Sequence, residues 1–339
     1  MTSKPVLIFG ATGAVGTALA ERLSAEQANW KIRAVSRKAD GSSRLEQASL
    51  SNVTVVAGDP MDKDQVLELT KDVDIIVSCI GLHKYQASFW NKHWPVICDN
   101  LMAGTVQKDG DRRRRFVMCD NLYAYGAGHA TAISPKTPTV TPSSRTKPQI
   151  RSQMRQAFQA HMQQHPGTLA VVGGADFFGP HVAALSFLGD TMTGKILQGA
   201  SPLAIGSATV IHDFCYVPDF AQALAVACTD DRALDKFWIC PHAIHQKTMT
   251  DIAQDIARLA GVKTAVQVSV LSTFLVYLLS PFMEFMWEMI EMLPFWTNDY
   301  KVDDSDFIQT FGIQATPYEE ALGELVKFFQ EEEEKAEKK

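Results

Sequence analysis

The chain has no disulfide-type cysteine pattern. Its six cysteines, Cys79, Cys98, Cys119, Cys215, Cys228 and Cys240, are scattered and form no CxxC pair. Several lie in apolar runs, where a free thiol behaves as a small hydrophobe. This excludes a disulfide framework and points to a reducing, cytoplasmic compartment. Positive charge is not in excess either. The 32 Lys and Arg against 38 Asp and Glu leave a net charge of −6, so nucleic acid is not an expected partner. The one basic cluster, Arg112 to Arg115, stands between Asp109-Gly110-Asp111 and Phe116-Val117-Met118 and reads as a solvated loop leading into a strand. No GxSxG string occurs, which excludes a hydrolase nucleophile elbow. His83 and His93 are ten apart and His242 and His245 three apart, with no acid or cysteine nearby to complete a ligand set; no metal is expected. There is no internal repeat or low-complexity linker. The N-terminus enters an apolar strand within a few residues, so no signal peptide is expected.

A long uninterrupted apolar run is also missing. The longest, Val266 to Trp296, is broken by Pro281 and Pro294 and by Glu284, Glu288 and Glu291. The uninterrupted part is too short to span a bilayer. The three acids fall at i, i+4 and i+7, on one helical face, so the segment predicts an amphipathic helix over 273–293 that covers a core or a lipophilic pocket. Its acidic polar face argues against contact with a membrane.

What is present begins with Val6-Leu7-Ile8-Phe9-Gly10-Ala11-Thr12-Gly13-Ala14-Val15-Gly16. An apolar run ends in three glycines spaced by three, and an amphipathic stretch follows. That is a strand, a tight turn and a helix N-terminus able to hold a phosphate. The glycines remove Cβ atoms where the backbone must turn, approach a pyrophosphate and pack helix on strand. Gly10, Thr12, Gly13, Ala14, Val15 and Gly16 are therefore expected at a dinucleotide.

Strand patterns at 5–9, 31–36, 53–57, 74–79, 115–119 and 168–173 alternate with helical patterns at 14–27, 63–71, 91–107 and 149–164. This is an α/β chain with a Rossmann-type, doubly wound parallel sheet, and ligands belong at the carboxyl ends of its strands. After the second strand come Ser36, Arg37 and Lys38, with Asp40 further into the loop. An acid at that strand end would bind the ribose of NAD, whereas arginine suits the 2′-phosphate of NADP; NADP is the expected cofactor and NAD the alternative. Gly58-Asp59-Pro60-Met61 follows the third strand, where an adenine could be met. Cys79-Ile80-Gly81 follows the fourth, its glycine leaving room for the central part of the cofactor. The fifth ends in Cys119-Asp120-Asn121-Leu122-Tyr123-Ala124-Tyr125-Gly126, near the nicotinamide end. Residues 1–175 make the dinucleotide-binding domain, with 206–240 packing back on it. Residues 176–205 and 241–330 make a smaller, mainly helical substrate domain, and the charged tail 331–339 should fray.

These strings resemble the extended and atypical short-chain dehydrogenase/reductase superfamily, the NAD-dependent epimerase/dehydratase group. The resemblance rests on Gly10, Gly13 and Gly16, on Asn121-Leu122-Tyr123-Ala124-Tyr125-Gly126, on Ala175-Asp176-Phe177-Phe178-Gly179-Pro180, and on His212-Asp213-Phe214 with Tyr216-Val217-Pro218-Asp219. It implies a cofactor domain and a substrate domain with the site between them, Phe177 at the cofactor, and a Ser or Thr after strand five. It also implies a Tyr-x-x-x-Lys on the next helix, whose tyrosine is acid or base and whose lysine lowers the tyrosine's pKa and holds the nicotinamide ribose. This chain departs from the set. Asn121 stands where the family has Ser or Thr, and Pro142-Ser143-Ser144-Arg145-Thr146-Lys147 keeps the lysine but has Ser143 for the tyrosine. A serine hydroxyl is a poor proton donor in that place. Tyr123, two positions past Asn121 on the same side of an extended segment, and Tyr85, in the loop after strand four, are the candidate replacements.

The reading is an NADP-dependent oxidoreductase of atypical short-chain type. It would act on a carbonyl or activated alkene of a lipophilic small molecule, as monomer or homodimer. Asn121 and Tyr123 would polarise the acceptor oxygen. Residues 177–205 and the apolar helix bearing Phe274, Phe282, Phe285, Met286 and Trp287 would close the pocket. The alternatives are a non-redox isomerase, epimerase or cyclase on the same fold, or a dinucleotide-binding redox sensor.

Overall fold

The computed structural model describes residues 4–37, 43–107, 113–182 and 186–337. Lys38, expected at the cofactor, Asp40 further into that loop, and Asp109-Gly110-Asp111 and Arg112 at the basic cluster lie outside them. The chain runs β1 (Pro5–Phe9), α1 (Ala14–Glu26), β2 (Lys31–Ser36), α2 (Arg44–Gln47), β3 (Val53–Ala57), α3 (Lys63–Leu69), β4 (Ile75–Ser78), α4 (Ala87–Val106), β5 (Arg115–Asn121), α5 (Lys147–Gln164) and β6 (Leu169–Gly174). It continues through β7 (Asp176–Phe178), α6 (Lys195–Leu197), β8 (Leu203–Ile205), β9 (Phe214–Tyr216), α7 (Val217–Thr229) and β10 (Lys236–Ile239). The remainder is α8 (Met249–Leu259), β11 (Ser269–Leu271), α9 (Thr273–Leu279), α10 (Glu284–Ile290), α11 (Leu293–Thr297), α12 (Ser305–Phe311) and α13 (Tyr318–Glu337).

Seven strands form one sheet in the order β10-β6-β5-β4-β1-β2-β3. Strands β1 to β5 pair in parallel, as do β6 and β10, with Val6 opposite Ile32 on one side and Ile75 on the other. Strand order reverses between β1 and β4, which is where a doubly wound sheet opens a crevice at its carboxyl ends. The central strands are buried on both faces, as their β-branched runs require. One core cluster joins Leu7, Phe9, Phe116 and Met118 of the sheet to Trp90 and Trp94 of α4 and to Ile150, Met154 and Phe158 of α5.

Two compact units divide the chain. The first holds 1–124, 139–173 and 220–240; the second holds 125–138, 174–219 and 241–339. β10 pairs with β6, so the end of the 206–240 segment does join the sheet. Residues 206–219 fall instead in the second unit, where β9 pairs with β7 and β8 with β11.

Three sequence expectations change here. The helix over 273–293 is three short helices, because Pro281 and Pro294 each lack the N–H that a continuing helix needs. The tail does not fray at Glu331: α13 continues to Glu337, helped by good helix formers and the Lys335–Glu332 pair. Of the basic cluster, Arg113 is exposed in the loop before β5, but the next two arginines are not solvated. Arg114 is buried and donates to the carbonyls of Thr70 and Gln107, and Arg115 opens β5 and donates to the Ala227 carbonyl and Asp231. Both guanidiniums answer carbonyls at or near helix ends that burial would otherwise leave without donors.

Candidate functional site

The first unit carries every expected cofactor residue except Phe177, which lies on β7 in the second. Gly10 has φ +74°, and a Cβ there would stand 2.6 Å from the Cys79 carbonyl oxygen and 2.8 Å from Ile80 Cα. The missing side chain thus lets β1 turn against the end of β4. A Cβ on Gly16 would meet the Gly10 oxygen at 2.3 Å, so this glycine sets the closeness of α1 to β1. Gly13 differs: it is exposed, and its nearest neighbour is 3.4 Å away. It is the N-cap of α1, and no side chain caps that helix. Thr12, Ala14 and Val15 flank it and are half-buried. An open glycine at an uncapped 13-residue helix start is a cradle that suits a phosphate.

Around this cradle Ser36 is half-buried and Arg37 exposed at the end of β2. Pro60 is buried. The Asp59 carboxylate accepts the Met61 N–H at 2.9 Å, so it shapes its own turn as well as standing at the strand end. Cys79 is buried and Ile80 half-buried, while a Cβ on Gly81 would find nothing within 4 Å. The residues present fit a dinucleotide lying over the ends of β1 and β4.

The loop after β4 is fastened at two points. Trp90 Nε1 donates to the Lys84 carbonyl at 3.0 Å, and Lys147 Nζ donates to the Tyr85 carbonyl at 3.4 Å. This turns Tyr85 inward. Its hydroxyl lies 3.5 Å from that of Tyr123, and the fully buried Lys147 ammonium sits 4.4 Å from the centre of the Tyr85 ring. Tyr123 stacks on Trp90 at 6.5 Å, and Tyr85 meets the same indole edge-on at 5.8 Å. Two phenols and a buried cation therefore converge beside the carboxyl ends of β4 and β5.

Beneath them lies a pair that sequence reasoning missed. Asp120 and Arg151 form a buried ion pair at 2.9 Å, and the guanidinium lies 4.1 Å from the Trp94 ring and 4.9 Å from that of Trp90. Burial pushes the Asp120 carboxyl up, and Arg151 opposes that. Asp120 also accepts the Asn121 N–H at 2.9 Å. The pair thus positions both the end of β5 and the indole on which Tyr123 rests. Its sequence signal was a carboxylate at the end of the apolar run of β5 and an arginine on the apolar face of α5, beside Ile150 and Met154.

Two expectations fail on geometry. Ser143 is not on a helix with Lys147, because α5 starts at Lys147, with Thr146 as N-cap accepting the Gln149 N–H at 3.4 Å. The one-turn stacking of Tyr-x-x-x-Lys is therefore absent between these two residues. Asn121 and Tyr123 do not share a face by strand alternation, because β5 ends at Asn121 and Tyr123–Tyr125 is a 3₁₀ turn. Asn121 Oδ1 instead accepts the Tyr123 N–H at 3.2 Å and shapes that turn.

In the second unit the histidine pair does have acids. His245 lies 3.1 Å from Asp213 and 3.0 Å from Asp304, whose carboxylate also accepts the His242 N–H at 2.7 Å. Asp213 further accepts the N–H groups of Gln246 and Val302. The cluster clamps backbone segments together. Burial alone would lower the His245 pKa, but hydrogen bonds to Asp213 and Asp304 raise it to about 10.

The model of the NAD dependent epimerase/dehydratase family matches residues 6–240. A search of curated proteins finds no match. Among solved structures, the chain is similar to the dTDP-glucose 4,6-dehydratase of Bacillus anthracis in complex with NAD, with a TM-score of 0.77, 15% identity and 98% of each chain covered. It is similar to the UDP-glucuronic acid 4-epimerase of Bacillus cereus in complex with UDP-glucuronic acid and NAD, with a TM-score of 0.75, 13% identity, and 96% of this chain and 99% of that one covered. It is also similar to the UDP-N-acetylglucosamine 4-epimerase of Methanobrevibacter ruminantium, with a TM-score of 0.74, 17% identity, and 98% and 100% covered. At these identities the likeness to solved structures concerns the fold.

Proposed function

Because the chain belongs to the NAD dependent epimerase/dehydratase family, and so to the nicotinamide-dependent oxidoreductases and isomerases, we propose that it is an NADP-linked oxidoreductase. It would act on a carbonyl or activated alkene of a lipophilic small molecule, with Tyr85, Tyr123 and Lys147 in place of the family's Tyr-x-x-x-Lys. The convergence of the two phenols on the buried ammonium carries this reading. The bound dinucleotide supplies the hydride. Gly10, Gly13 and Gly16 shape the cradle for its pyrophosphate, and Gly81 leaves room beside it. Arg37 answers the 2′-phosphate.

A phenol donates a proton to a substrate oxygen, and a cation close to its ring favours the negative charge left behind. Tyr123, within hydrogen-bond reach of Tyr85, is the second member of a two-phenol relay. Removing either hydroxyl should slow turnover by about 10²–10⁴-fold. The test is purified protein with NADPH or NADH and a panel of lipophilic ketones and enones, followed at the dihydronicotinamide absorbance. Tyr85→Phe and Tyr123→Phe should lose turnover and keep cofactor affinity; full activity in both variants refutes the assignment. Arg37→Asp should weaken NADP and leave NAD unchanged; equal effects refute the 2′-phosphate role.

The second reading is an epimerase or other isomerase with no net redox change. It is favoured by the names of the neighbours, which act on sugar nucleotides and are complexes with NAD. Turnover of a nucleotide sugar with the dihydronicotinamide band unchanged at the end of reaction would establish it against the first.

A further inference from the structure

The segment expected to form an amphipathic helix over a core or a lipophilic pocket carries the most exposed apolar surface among the described residues. α9 and α10 form a hairpin around Ser280-Pro281-Phe282-Met283. Only Val276, Ser280 and Met289 of it are buried. Eight of the twelve exposed large hydrophobic side chains belong to this hairpin. Phe282 at its tip is 83% exposed, Phe274 72% and Trp287 62%. With aromatic side chains of about 150–250 Å² each, the hairpin presents on the order of 800 Å² of apolar surface. The largest patch on a typical monomer is about 300–600 Å².

We propose that this hairpin docks the protein on a bilayer surface of neutral, zwitterionic lipid. Charge selects the occupant. From Thr264 to Met283 there is no Asp, Glu, Lys or Arg. Two hydroxyls of the segment are turned to its own backbone: Ser272 caps the Leu275 N–H, and Ser280 donates to the Tyr277 carbonyl. A specific protein interface of this size needs about one hydrogen bond per 100–200 Å² and a polar rim. The exposed aromatic side chains of the hairpin offer only the Tyr277 hydroxyl and the Trp287 indole, the two residue types that settle where hydrocarbon meets headgroups, and the carboxylates begin only at Glu284, past the tip. A tip as exposed as Phe282 is a protrusion, which a fluid apolar phase accepts without a matching hollow. Each helix has seven residues, about 10 Å long, which suits shallow insertion of about 5–10 Å and not a span. Glu284, Glu288 and Glu291 follow the tip, so anionic headgroups would repel the flank that accompanies insertion. Docking would deliver the enzyme to substrate dissolved in lipid, but it does not depend on the chemistry proposed above.

The test is co-flotation of the full chain with phosphatidylcholine vesicles, with Trp emission recorded alongside and sedimentation measured without lipid. The protein should float with the vesicles at both ~0.1 M and ~1 M salt, and anionic lipid should weaken binding at the lower salt. Emission should shift to the blue, and Trp287→Phe should remove the shift. Phe282→Ser should weaken binding at least about tenfold, with the unfolding midpoint unchanged because the side chain is already in water. Protein that stays with the buffer overturns the proposal. So does a concentration-dependent dimer that Phe282→Ser returns to monomer, which would make the hairpin a contact between two copies. Failure of flotation with intact turnover refutes docking alone; loss of turnover in Tyr85→Phe with intact flotation bears on the chemistry alone.

Discussion

Gly13→Ala should separate binding from folding, because the three glycines of the first loop meet different surroundings. At Gly10 the left-handed φ of +74° costs a residue with a Cβ about 1–2 kcal/mol. The Cβ would also lie 2.6 Å from the Cys79 carbonyl oxygen, an overpacking of backbone worth about 1–3 kcal/mol. Gly10→Ala should therefore lose about 2–5 kcal/mol of stability. Gly16→Ala places its Cβ 2.3 Å from the Gly10 oxygen and must push α1 off β1, at a cost of about 1–3 kcal/mol or more. Gly13 has φ −75° and a nearest neighbour at 3.4 Å, so alanine there should cost only the N-cap difference between glycine and alanine, about 1 kcal/mol at most. Its methyl group would nonetheless stand on the N-terminus of α1. Holding a phosphate away from that end forfeits about 1.5–3 kcal/mol for one charge-assisted hydrogen bond and up to about 1 kcal/mol of helix-end electrostatics. The expected result is NADPH or NADH affinity weakened by roughly 10- to 1000-fold in a protein that loses no more than about 1 kcal/mol in urea unfolding. Calorimetric titration and urea unfolding of the same preparation give both numbers. Gly13→Ala that binds within about threefold of the parent refutes the cradle, because that range is under 1 kcal/mol. Early unfolding of Gly13→Ala would refute the geometry from which the contrast is worked.

The other expectations concern the supports of the site. Asp120→Asn leaves Arg151 buried without its carboxylate and should cost about 3–5 kcal/mol in urea unfolding, whereas Asp120→Leu with Arg151→Met should recover most of that loss. A single-variant cost below about 1 kcal/mol would show that the pair is not needed. His245 has a folded pKa raised from 6.5 to about 10, so its contribution to stability is complete below 6.5 and is lost as pH rises through about 10. The thermal midpoint of the parent should fall across that window, and His245→Gln should flatten the fall; parallel curves would refute the role of Asp213 and Asp304. Phe158→Ala empties a fully buried place between α5 and the sheet and should cost about 3–5 kcal/mol; a cost near zero would refute the core described for the first unit.

The sheet was legible because parallel strands covered on both faces must be continuously apolar, and β1, β4 and β6 read that way in isolation. The glycine loop was legible because Gly10 and Gly16 answer local steric needs and Gly13 leaves the helix start open. The convergence of Tyr85, Tyr123 and Lys147 was only half legible. These residues are 38 and 62 positions apart from Tyr85, and no periodicity links them. The rule that β4 and β5 end side by side brings the two loops together, but the fastening by Trp90 and Lys147 that turns Tyr85 inward has no sequence pattern. Arg114 and Arg115 show the opposite error. A charge run was read as solvated, although strands and helices ending together leave carbonyls that only long donors reach. The α9–α10 hairpin misled for a third reason: apolar composition says what a segment would gain by burial and not whether the fold supplies a cover.

Ser143 is the instructive case, since the correction could have been made from the residues alone. Matching the family's Tyr-x-x-x-Lys by spacing assumed that Ser143 and Lys147 sit one turn apart on a helix. Thr146 and Pro148 contradict that assumption locally. Threonine is a preferred N-cap, and proline is tolerated only in the first turn, where its missing N–H has no helical partner to lose. Together they start the helix at Lys147, as found. A helix reaching back to Ser143 would place Pro148 in its interior, at a cost of about 3 kcal/mol. The capping chemistry of Thr146 and Pro148, on either side of the lysine, therefore ruled out the helical geometry of the motif, so the proton donor had to be sought on another element. Tyr85 and Tyr123, whose hydroxyls lie 3.5 Å apart, are the donors proposed above.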